Sequence, residues 1–112
     1  QAISGLSPAS TYYYCAIVQS TEGTAFGTIQ SFTTSAAPTA TTAAATSISA
    51  TSATLNGAGN PQGGSAQAWF RYGTSDPGTC SDGFGTRVPT SSYANLGAGS
   101  SSVPYSFGIG SL

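Results

Sequence analysis

Residues 11–18 read TYYYCAIV, three tyrosines followed closely by one of only two cysteines in a chain that has no histidine and no lysine. Aromatic and β-branched side chains favour a pleated backbone, and successive side chains of a strand point to opposite faces. The stretch therefore reads as a strand with Tyr12, Tyr14, Ala16 and Val18 on one face and Tyr13, Cys15 and Ile17 on the other. Both faces are largely apolar, so the reading calls for cover on both sides.

Working outward, TIQSFTT (28–34), SATLNG (52–57), AWFRYGT (68–74) and VPYSFGI (103–109) share the same character: short, aromatic or β-branched, and bounded by Gly, Pro, Asn or Ser. No stretch of about ten residues carries an apolar helical period. Even TTAAATSISA (41–50) lacks a convincing cap and stripe. An all-β chain is expected. Its connections carry turn chemistry: TEGTAFG (21–27) reads as a hairpin loop, GNPQGG (59–64) as a Pro/Gly turn and SDPGTCSDGFG (75–85) as a long loop with two Asp turns. SAAPTATT (35–42) has no hydrophobic period and reads as an extended connector between two units.

Composition narrows the function classes. Charged residues make up 4% of the 112-residue chain, against about 25% in an ordinary soluble domain. With a net charge of −1, little electrostatic repulsion opposes packing against neighbours, and nothing invites nucleic acid. No apolar run approaches the roughly 20 residues that span a bilayer, so no membrane insertion is expected. The first residue is Gln rather than Met in a Ser/Thr-rich sequence. The chain thus reads as a mature or excised segment of an exported protein, extracellular or at the cell surface, where its two cysteines would be oxidised.

GLSPASTYYYCAIV (5–18) resembles the end of a fibronectin type III domain, whose Leu, Pro, small hydroxyl residue and Tyr match Leu6, Pro8, Ser10 and Tyr12. STEGTAFGTIQSFTT resembles the loop between the last two strands and the final strand of that family. SATLNGAGNPQG followed by AWFRYGT resembles the second and third strands of a new copy. The variety most similar is the tandem repeat of large bacterial surface and secreted proteins, in which PGTC, FGTR and TYYYCA recur together. The resemblance spans nearly the whole chain in permuted order: residues 1–34 match the C-terminal strands of one sandwich, 35–42 a connector, and 43–112 the N-terminal strands of the next. QAISGL (1–6) also aligns with FGIGSL (107–112), matching Ile3 with Ile109 and Leu6 with Leu112, both 106 positions apart.

The resemblance implies an immunoglobulin-like, fibronectin type III β-sandwich cut mid-domain, each half completed by a neighbouring copy. The nine residues from Phe32 to about Thr41 would have to run the length of the domain and reach at most about 30 Å, which leaves no slack for one chain to close on itself. Tyr12 would form a tyrosine corner with Leu6 and Pro8, its hydroxyl bonding back to the preceding backbone. AWFRYGT would turn Phe70 and Tyr72 inward and Trp69 and Arg71 outward. The segment 75–94 would cover that outer face, stapled by a disulfide between Cys15 and Cys80 worth about 2–4 kcal/mol. In the permuted arrangement Cys15 pairs with Cys80 of the preceding copy.

Residues able to do chemistry are scarce. Glu22, Asp76 and Asp82 are the only acids and all fall in predicted turns, so they read as turn formers. No His or Lys is present to activate a serine. Two cysteines without histidine fall short of a zinc set, and two aspartates in one loop are too few for a calcium site. GAGNPQGG and GFGTR lack a phosphate-binding Lys and a following helix, and Arg71 and Arg87 alone make no nucleic-acid face. No enzyme activity and no cofactor are expected. Tyr13 and Trp69 remain as an aromatic surface on which a glycan could stack. The expected role is a structural repeat of an extracellular filament, stalk or adhesive surface array whose partners are copies of itself. The alternative is a spacer or carbohydrate-binding module within a large secreted enzyme or adhesin.

Overall fold

The computed structural model describes residues 1–112 and is all-β, with eleven strands and no helix. The chain divides into two compact units, Gln1–Ala37 and Pro38–Leu112.

The first unit contains β1 (Thr11–Tyr14), β2 (Ile17–Ser20), β3 (Gly23–Phe26) and β4 (Gln30–Thr33). Together they form one long hairpin in which β1 pairs with β4 and β2 with β3, both antiparallel. TYYYCAIV is therefore not one strand. Its ladder breaks at Cys15–Ala16, which face three residues, Gly27–Ile29, and the Gly27 N–H donates to the Ala16 carbonyl at 2.8 Å. An extra residue on one strand bends the ribbon and raises its twist. The single face read for Tyr12, Tyr14, Ala16 and Val18 accordingly stops at Tyr14. The hairpin turn is shorter than the loop expected over 21–27: Ser20 already pairs with Gly23, leaving only Thr21 and Glu22 at the tip.

The second unit contains β5 (Thr39–Thr46), β6 (Ala53–Asn60), β7 (Ala66–Ala68), β8 (Phe70–Tyr72), β9 (Thr86–Val88), β10 (Ala94–Gly97) and β11 (Val103–Ile109). A three-stranded sheet runs in the order β11-β6-β5, and two ribbons pair β7 with β10 and β8 with β9. β5 occupies residues 39–42, expected to be connector, so only 35–38 connect and the unit begins at Pro38 rather than at 43. An Ala/Thr run has no apolar alternation to betray it, because all eight residues of this edge strand are exposed. Pairing with β6 fixes its register, helped by the Asn56 side chain. The Asn56 amide donates to the Ala44 carbonyl at 2.9 Å and to Thr46 Oγ1 at 3.0 Å, where the β5–β6 ladder slips by one residue. β9 likewise interrupts the segment 75–94, expected as one loop.

Along β11, half-buried Val103, Tyr105, Phe107 and Ile109 alternate with exposed residues and lie opposite Gly59, Gly57, Leu55 and Ala53 of β6. The two glycines make room for the other strands. A Cβ on Gly57 would stand 3.0 Å from the Thr41 carbonyl oxygen and 3.1 Å from the Phe70 ring, and one on Gly59 would stand 2.7 Å from Leu96 Cδ1. Phe70 of β8 thereby stacks on Tyr105 at 4.8 Å and meets Phe107 edge-on at 6.2 Å. This cluster is the nearest thing to a core. Ala68 and Pro61 are the only side chains that are buried.

Candidate functional site

No three Cys, Asp or Glu side chains gather as a metal centre would, and the features that stand out are three surfaces. The first is the hairpin and the segment leading into it. The Ser7 N–H donates to the Tyr12 hydroxyl at 3.0 Å, and the Ser10 hydroxyl donates to the Pro8 carbonyl at 3.0 Å. Thr34, which local sequence does not single out, is the hub. Its hydroxyl accepts the Ser10 N–H at 3.0 Å and donates to the Ser7 carbonyl at 2.6 Å. Its own N–H bonds the Ser10 carbonyl at 2.9 Å. Leu6 is half-buried at the start of this tied segment.

Above the corner, Phe32 stacks on Tyr12 at 5.7 Å and is tilted against Tyr14 at 6.2 Å. These rings are not covered. Tyr14 is 57% and Phe32 36% exposed, and on the opposite face Tyr13 is 72% exposed. Ile17, Val18 and Phe26, farther along the ribbon, are exposed as well, and no residue of the first unit is buried. The cover that the sequence calls for on both faces is missing. A two-stranded ribbon without a third strand or a packed face is marginal in water.

The second surface is the inner face of Pro38–Leu112. Phe70, Leu55, Tyr105 and Phe107 are only half-buried there. A groove of about 770 Å³ runs along its end, lined by Tyr72, Phe84, Ile109, Leu112 and the loop Gly73–Pro77. Burial pushes the Tyr105 phenol above its ordinary value.

The third is a polar clamp on the other side of β8, holding three of the five charged residues. Asp82 Oδ1 accepts the Trp69 indole N–H at 2.8 Å and Arg71 Nε at 2.9 Å. These two hydrogen bonds, the indole first, hold the Asp82 carboxyl below its ordinary value. The Arg87 guanidinium lies 4.7 Å from the centre of the Trp69 ring and donates to the carbonyls of Pro89, Thr90 and Ser92 at 2.9–3.1 Å. Asp82 is thus more than the turn former its sequence position suggests. Asp76 does act as one, accepting the Gly78 N–H at 2.8 Å.

No disulfide joins Cys15 and Cys80 within the chain: Cys15 is half-buried, Cys80 exposed, and both are free thiols, which leaves the pairing with a preceding copy as the form the expectation takes. Within the chain the loop is tied to β8 by the Asp82 contacts. Trp69 has its N–H engaged and one face under Arg87, whereas Tyr13 stands exposed on the other unit.

No protein-family model, curated protein or solved structure matches the chain.

Proposed function

We propose that this chain is a structural repeat, an immunoglobulin-like β-sandwich of the fibronectin type III kind, that builds an extracellular filament, stalk or adhesive surface array. One observation carries the reading: in 112 residues the only buried side chains are those of Ala68 and Pro61. Folding of an independent domain of this length needs a buried apolar core to offset chain entropy. Here the apolar rings exist but are divided between a hairpin and an open sheet face. Each is the kind of surface that the other lacks.

In this reading every copy offers a hairpin to one neighbour and receives one from another. The contact is heterologous, so it does not close and propagates as a fibre. Strand pairing across copies also hides edges that would otherwise aggregate without order. Both arginines already bind loop carbonyls or Asp82, which leaves apolar and backbone contacts to drive assembly. The clamped Trp69 weighs against a carbohydrate platform and so against the binding-module alternative. Negative-stain microscopy of the purified chain tests the proposal: fibres are expected, and dispersed monomers at every concentration would favour a passive spacer.

A further inference from the structure

We propose that residues 1–6 and 107–112 are the same structural position in successive copies, so that the open face of Pro38–Leu112 is covered by residues 7–34 of a second copy, entering where Leu112 ends. The proposal rests on the repeat reading and adds the register and the occupant. QAISGL and FGIGSL share more than Ile and Leu: small residues stand in both at the second, fourth and fifth places. The backbone repeats as well. Each hexamer has one left-handed residue and it falls at the fifth place, Gly5 with φ 71° and Ser111 with φ 55°. Serine seldom adopts that conformation, and the two glycines of the second hexamer do not, so the match is not glycine content alone.

Both hexamers end in leucine, but in different surroundings. After Leu6 the chain passes into Ser7, whose N–H is held by Tyr12. Leu112 donates its N–H to the Thr51 carbonyl at 3.0 Å but is itself 59% exposed, at the mouth of the groove beside Ile109 and Tyr72. A hairpin continuing from that position brings Tyr12, Tyr14 and Phe32 to the side where Phe70, Tyr105 and Phe107 lie half-buried. Glu22, at the turn, is the only charge in residues 7–34, so covering the face buries no unpaired ion. β7 and β8 each pair with one strand only, which leaves backbone groups free to receive β1.

The test compares the full chain with a version in which a second copy of residues 7–34 is joined directly after Leu112. At low concentration the extended chain is expected to melt about 10 °C or more above the full chain. Tyr12→Ser and Tyr14→Ser made only in the added segment should return the melting temperature to that of the full chain. Equal melting of all three proteins would overturn the register. The repeat reading has its own readout, the self-association of the unextended chain. An unextended chain that assembles while the extension changes nothing overturns the register alone. A monomeric chain whose extended form melts higher overturns the assembly and upholds the register.

Discussion

A methyl group on Gly85 would fall on the Tyr72 carbonyl oxygen, and the residue is left-handed at φ 55°. Glycine is required there on both counts, because Gly85 leads the chain into β9 alongside β8. Gly85→Ala should cost at least about 2 kcal/mol in urea unfolding of the full chain; a change below about 0.5 kcal/mol would show that the loop can shift freely. Asp82 gives a pH signature. Its carboxyl is depressed below the ordinary 3.8, so its contribution is present above that value and lost as pH falls through the lower folded value. Trp69 fluorescence should therefore change on acidification below about pH 4, and Asp82→Asn should remove the transition. Neither role was legible from sequence. Gly85 and Asp82 look like loop residues, and only the return of the loop onto β8 gives them partners, 13 and 11 positions away for Asp82.

At the scale of the elements, the Tyr12 hydroxyl fastens the segment before β1 to the hairpin. Tyr12→Phe should cost about 1 kcal/mol, measured by thermal unfolding. Within one chain neither thiol is bonded, so Cys15→Ser should leave the stability of the dilute, monomeric chain unchanged, with or without reductant; a bond between copies would show instead as assembled species that reductant dissociates. How well an element could be read depended on whether its side chains alternate. β11 was legible to the residue, Val103–Ile109, because apolar and polar positions take turns along it. β5 was not, since its Ala and Thr side chains carry no contrast between faces and its partner on β6 supplies the register. The break in TYYYCAIV was hidden for a different reason: the extra residue lies on the returning strand, at Gly27–Ile29.

For the whole molecule, the absence of a core is what composition could not reveal. Eleven large hydrophobic side chains stand exposed, although 38% of the chain is hydrophobic, an ordinary share. Division of those residues between two units leaves each with a face and no cover. With so few charges, association driven by these faces should change little between about 50 and 500 mM salt, unlike a contact steered by ion pairs. Sedimentation velocity of the full chain over a concentration series separates an assembling repeat from a passive monomer. A distribution that grows from 11.0 kDa into an open ladder of multiples, and that collapses when Tyr12 and Tyr14 are both replaced by Ser, is the predicted result. A single 11.0 kDa species at every concentration would contradict it.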